Sequence, residues 1–160
     1  VMFSSLSKRS NVPGMRSGFV AGDEKILKKF LLYRTYHGCA MAPPVQTASV
    51  AAWNDEAHVL DNRNQYREKF AACTPLIAEV LGTGMPDASF YLWAKTPIAD
   101  TEFARGLLEH YNVVALPGSF LAREVRGVNP GANFIRIALV ASLAECLDAT
   151  QRIRQFAQQL

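Results

Sequence analysis

A lysine set among hydroxyls and followed by fixed cations is the most chemically loaded feature of the sequence. The stretch Ser5-Leu6-Ser7-Lys8-Arg9-Ser10-Asn11-Val12-Pro13-Gly14-Met15-Arg16-Ser17-Gly18 places Arg16 eight residues beyond Lys8. No carboxylate occurs before Asp23, so Lys8, Arg9 and Arg16 have no acidic neighbour in sequence. Serine hydroxyls and exposed backbone N–H groups donate to phosphate oxygens, and glycine lets the backbone come close. An arginine fork matches two phosphate oxygens at once. An amine kept neutral by a neighbouring cation and partial burial attacks aldehydes and forms a Schiff base. A phosphate cradle beside such an amine suits pyridoxal 5'-phosphate. The same residue types also fit a solvated tail or a nucleic-acid-binding arm.

Arg136 is the second chemical candidate. In Phe134-Ile135-Arg136-Ile137-Ala138-Leu139, strand alternation puts Phe134, Arg136 and Ala138 on one face and Ile135, Ile137 and Leu139 on the other. A guanidinium among apolar neighbours is costly to bury unless an anion meets it, and an edge-strand arginine reaching solvent is the alternative.

The elements that must position these groups follow from periodicity. The run from Ser17 to Ala21 suggests a small strand. Asp23 offers an N-cap to a helix ending at Gly38, with Ile26, Leu27, Phe30, Leu31 and Tyr33 as its apolar stripe. Pro43-Pro44 opens a second helix rich in small residues. From Glu56 to Leu81, Val59, Asn62, Tyr66, Phe70, Cys73, Ile77 and Val80 recur at helical steps, and Pro75 should kink that helix. The domain change is placed near Asp61. The second half reads α-β-α-β-β-α: strands at Ser89–Ala94, Val113–Leu116 and Phe134–Leu139, a helix capped by Asp100-Thr101, and a last helix opened by a Ser142/Glu145 capping box. Residues 119–132 read as a loop. The fold class is α/β, a small sheet covered by helices.

The chain has 160 residues, 49% hydrophobic and 19% charged, enough for one sizeable core or two small ones. A net charge of +3 without a long basic run argues against nucleic acid or an anionic membrane as partner. No apolar run is long enough to span a bilayer, and the start does not read as a signal peptide. Cys39, Cys73 and Cys146 lack paired spacing and read as buried reduced thiols of a cytoplasmic protein. His37, His58 and His110 stand apart without metal-ligand spacing, so structural roles are expected and no metal.

The order Ser-x-Ser-Lys, Asn-x-Pro-Gly-x-Arg, then Gly18-Phe19-Val20-Ala21-Gly22-Asp23, resembles the cofactor-lysine segment of fold-type I, class I/II aminotransferases. Leu116-Pro117-Gly118-Ser119-Phe120-Leu121-Ala122-Arg123-Glu124, Gly127-Val128-Asn129-Pro130-Gly131 and Arg136-Ile137-Ala138-Leu139-Val140-Ala141 extend it toward the chain end. The resemblance implies pyridoxal phosphate held by Lys8, its phosphate bound by Ser5 and Arg16, and a substrate α-carboxylate gripped by Arg136. It further implies the end of a large cofactor-binding domain over residues 1–60, a small C-terminal domain over 61–160, and a homodimeric parent. Within the family it resembles N-succinyldiaminopimelate aminotransferases, which implies an acidic amino acid and a 2-oxo acid as substrates. Arg123 and Arg126 then either meet distal carboxylates or are solvated loop cations. A carbon–sulfur lyase or an acyl-transferring synthase of the same fold, or a non-catalytic phosphate- or nucleic-acid-binding module, are the alternatives. The family's chains are more than twice as long, and their other cofactor contacts have no counterpart here. A C-terminal fragment, inactive alone and exposing apolar faces over residues 1–60, is therefore expected.

Overall fold

The structure is a computed structural model that describes residues 1–38 and 40–160; Cys39 lies outside the described residues. The chain divides into two compact units, Val1–Arg63 and Asn64–Leu160.

The first unit is built on an antiparallel hairpin. Strand β1, Met2–Ser5, pairs with β2, Gly18–Ala21, in a register that sets Ser5 opposite Gly18. A Cβ at Gly18 would stand 2.8 Å from the Ser4 carbonyl oxygen, so glycine is what lets the two backbones close there. The connection holds a single helical turn, α1 (Leu6–Arg9), and a 3-10 turn (Pro13–Met15). It is closed at its base by Leu6 N–H donating to the Ser17 carbonyl at 3.1 Å, and Leu6 is fully buried beneath it.

Helix α2, Glu24–Tyr36, starts as its sequence dictates, with the Asp23 carboxylate accepting from Ile26 N–H at 3.0 Å. None of its residues is buried: Leu31 is 70% and Tyr36 80% exposed. The stripe read from periodicity is present but uncovered. Helix α3, Pro43–Asn54, has prolines in its first turn and buries Ser49, whose hydroxyl donates to the Val45 carbonyl at 2.6 Å and lies 2.7 Å from the buried Ser17 hydroxyl. Small residues on α3 allow that approach. Helix α4, Ala57–Ala78, runs through Pro75 without interruption; in the first unit it contributes fully buried Val59.

The second unit is a three-stranded antiparallel sheet in the order β3 (Tyr91–Lys95), β5 (Phe134–Ala138), β4 (Leu116–Pro117), with α5 (Asp100–Tyr111) and α6 (Leu143–Ala157). Leu92, Ala94, Ile135 and Ile137 point from the sheet into a core shared with Phe70, Cys73 and Ile77 of α4, Phe103 and Leu107 of α5, and Ile153 and Phe156 of α6. The α5–α6 contact is close enough that a Cβ at Gly106 would stand 2.6 Å from the Phe156 ring. Cys73 and Cys146 are buried free thiols, as their isolated spacing predicts. The capping box is complete: Ser142 Oγ accepts from Glu145 N–H, and the Glu145 carboxylate accepts from Ser142 N–H at 2.9 Å.

Two sequence expectations are corrected. Val113–Ala115 is not strand. Asn112 adopts a left-handed φ of 52° that ends α5, and Val113 N–H bonds the Leu107 carbonyl at 3.3 Å as part of that cap. Nor does Asp100 cap α5; the N-cap is Ala99, with no side-chain bond. Asp100 is 4% exposed and turned the other way. Its carboxylate accepts from Ser119 N–H at 2.9 Å and Asn133 N–H at 3.2 Å, tying together both ends of the loop between β4 and β5. Gly118 and Gly131 lock those ends further, since a Cβ on Gly131 would meet the Gly118 carbonyl oxygen at 2.1 Å. Between them Val125 and Val128 pair around Arg126 and Gly127, both at positive φ, a tight hairpin tip.

Candidate cofactor and carboxylate sites

Lys8 lies on α1, inside the hairpin connection, and Ser5 is that helix's N-cap, its Oγ accepting from Ser7 N–H at 3.3 Å. Both line an open concavity of about 680 Å³, together with Phe3, Ser4, Arg9, Gly18, Phe19, Val20, Phe30 and Arg34. Three aromatic rings supply its apolar surface. Arg16 does not line that concavity. It is exposed, at a left-handed φ of 51° closing the 3-10 turn, and its Nη1 donates to the Pro13 carbonyl at 2.9 Å.

Amine, hydroxyl and aromatic wall together fit a phosphorylated aromatic aldehyde. The amine would suit the aldehyde, the hydroxyl the phosphate and the apolar surface the ring. Arg16 adds positive charge to the same loop. The residues from β1 and α2 (Phe3, Phe30 and Arg34) are missed by sequence reasoning, because nothing local in either segment signals that they share a wall.

Arg136 belongs to the second unit. It lies on the central strand of the sheet, opposite Trp93 on β3 and Leu116 on β4, so it is not on an edge. Alternation holds as expected: Ile135 and Ile137 are buried on the core face, and Arg136 is half-buried on the other. Its guanidinium carbon stands 5.3 Å from the Tyr91 ring centre, and Trp93 stacks on Phe134 beside it at 5.6 Å and 12°. An aromatic surround strips water from a cation and stabilises it by about 0.5–2 kcal/mol through the ring quadrupole. Arg123 and Arg126 are exposed on the loop that Asp100 pins. Among the described residues no group of His, Cys, Asp and Glu could hold a metal ion, and no helix is long and apolar enough to cross a membrane.

Known proteins match this chain in sequence and in shape. A probable aminotransferase of Mycobacterium tuberculosis is 36% identical over 139 residues, covering 86% of this chain and 32% of its own. The crystal structure of an aminotransferase from Neisseria meningitidis superimposes with a TM-score of 0.90 at 57% identity, over 96% of this chain and 39% of that one. A probable N-succinyldiaminopimelate aminotransferase from Thermus thermophilus gives 0.82 at 33% identity, over 96% and 41%. The chain thus spans about a third to two fifths of the length of these relatives. The sequence profile of aminotransferase class I and II matches residues 1–153, and the chain belongs to that family.

Proposed function

We propose that this chain carries the cofactor lysine and the substrate-carboxylate arginine of a pyridoxal-phosphate-dependent aminotransferase. Residues 1–60 would be the end of the large cofactor-binding domain and 61–160 the small domain. The family is pyridoxal-phosphate-dependent. The observation that supports the assignment best is that Lys8 and Ser5 line one concavity beside the hairpin.

Pyridoxal phosphate, when bound, supplies the electron sink for amino-group exchange. Lys8 supplies the amine that holds it, and afterwards takes and returns a proton at the substrate α carbon. The Ser5 oxygen already accepts the Ser7 N–H, so its own hydrogen is free to donate to a phosphate oxygen. Arg16 contributes permanent positive charge for the same phosphate. Arg136 forks onto the substrate carboxylate, fixing the position and angle of the amino acid. N-succinyldiaminopimelate with 2-oxoglutarate is the substrate pair we favour, supported by the name of the Thermus relative and by the cations Arg123 and Arg126 at the loop tip. The parent enzyme is read as a cytoplasmic homodimer, and the isolated chain as catalytically silent.

Borohydride reduction of the chain mixed with pyridoxal phosphate, followed by peptide mapping, tests the assignment. Lys8 should carry the label ahead of Lys25, Lys28, Lys29, Lys69 and Lys95; uniform labelling would defeat it. For Arg136, Arg136→Lys in the full-length enzyme keeps the charge and loses the fork. It should lower kcat/KM by about 10²-fold, the loss of a charge-assisted pair, with cofactor absorbance unchanged. An unaltered kcat/KM would remove Arg136 from the site.

A further inference from the structure

The three residues that follow Lys8 are each fastened to one short stretch of the same unit, residues 52–62. The Arg9 guanidinium donates through Nη1 to the Ala52 carbonyl at 2.8 Å, pairs through Nη2 with the Glu56 carboxylate, and lies 4.6 Å over the Trp53 ring. Trp53 is held from another side by Phe19 of β2, edge-on at 5.1 Å. Ser10 Oγ lies 2.9 Å from His58 Nε2, and His58 Nδ1 lies 2.9 Å from Asp55 Oδ2. Asn11 Nδ2 donates to Asn62 Oδ1 at 2.9 Å. Asp55 accepts from the facing Nδ1, which leaves Nε2 to meet the Ser10 hydroxyl. The order Ser10, His58, Asp55 is that of a nucleophilic relay. However, Arg9 Nη1 also donates to Ser10 Oγ at 3.3 Å, and a cation on that oxygen works against attack. The arrangement serves to hold.

We infer that Arg9, Ser10 and Asn11 form a clasp on residues 52–62 that fixes α1 and thereby aims Lys8 at the concavity, making them positioning residues for the cofactor amine. This rests on the assignment of Lys8 above. A four-residue helix has no stability of its own, because one helical turn does not repay its nucleation. Its geometry must come from what its flanks grip. Before the turn, Ser5 is fixed by the β1–β2 ladder; after it, the clasp provides the second fixed point.

The test compares Ser10→Ala, Arg9→Lys, His58→Leu and His58→Gln in the 160-residue chain. Two readouts are taken: amide hydrogen exchange, and pyridoxal-phosphate trapping at Lys8 relative to Lys25, Lys28 and Lys29. Exchange at Ser10 and Val12, whose N–H groups bond the Leu6 carbonyl, should quicken about tenfold in Ser10→Ala and His58→Leu, matching one lost hydrogen bond. Exchange in residues 64–160 should not change. Lys8 trapping should drop about tenfold in step with those rates, and His58→Gln, which keeps a side-chain amide near Ser10, should recover part of both. Unchanged exchange would show that the clasp holds nothing. Faster exchange with undiminished Lys8 trapping would show that it does not aim the amine. If unmodified Lys8 is never trapped, the cofactor assignment fails, and exchange alone then decides whether the clasp exists. Arg9→Lys, which keeps the charge, gives the same comparison should His58→Leu fail to fold.

Discussion

Lys8→Ala in the full-length enzyme should reduce transamination by more than about 10⁴-fold if Lys8 has the role proposed above, because one substitution would then remove both the covalent tether and the group that moves the proton. The visible absorbance of lysine-bound cofactor should vanish in the same variant. Substrate binding should survive in part, since Arg136 lies on a different element and does not depend on the amine. Added methylamine gives a sharper check. If Lys8 acts as acid and base at the α carbon, a small exogenous amine should restore a measurable fraction of turnover. A Lys8→Ala enzyme that retains both colour and turnover would overturn the assignment, and with it the reading of the concavity.

Asp100→Ala should destabilise the second unit by about 2–4 kcal/mol, because it removes two charge-assisted bonds of about 1.5–3 kcal/mol each, less partial solvent screening. It should also loosen the loop that leads into β5. Burial alone would raise this carboxyl. The Ser119 and Asn133 donors outweigh that and hold it below its ordinary value of 3.8. The sign follows from proton binding: the unfolded chain binds the proton more tightly, so stability rises with pH through this window. The contribution is complete above the ordinary carboxylate value and disappears as pH falls below it toward the lowered folded value. Glu145, lowered by its bonds from Ser142, loses stability in the same window. The difference between wild type and Asp100→Asn therefore isolates the Asp100 share. Urea unfolding from pH 6 to pH 2.5 should show the two proteins converging at the acid end. A constant gap would mean that Asp100 stays ionised throughout or that its bonds contribute little.

Features determined by neighbours in sequence were legible. The Asp23 cap, the Ser142–Glu145 box, the buried edge of α4 and the facing of Arg136 all rest on contacts within four residues or on strand alternation. What escaped depends on partners far along the chain. Asp100 was read as a helix cap because aspartate before an apolar run usually is one. Its true partners lie 19 and 33 residues away. Strand β1 is four residues long and only half of it is shielded, too little for alternation to register. Val113 has strand propensity, but the left-handed Asn112 commits its N–H to ending a helix. At the candidate site, the motif singled out Lys8 and Ser5, which line one concavity, whereas the aromatic rings around it and the partners of Arg9, Ser10 and Asn11 come from tertiary pairing that no local pattern encodes. Arg16 has the motif's spacing, and its guanidinium donates to the Pro13 carbonyl, a contact that spacing alone does not reveal.

The ladder that sets Ser5 against Gly18 has a consequence for how this segment tolerates change in length. Residues added between them would enlarge a closed excursion, and the entropy of closing it grows only logarithmically. Ser5 would stay where it is. A one-residue slip between the strands is different, because it turns every side chain of β1 to the opposite face. The Ser5 hydroxyl would then leave the concavity it lines. Closure entropy therefore sets little limit on the excursion's length, whereas strand registration at its neck is fixed.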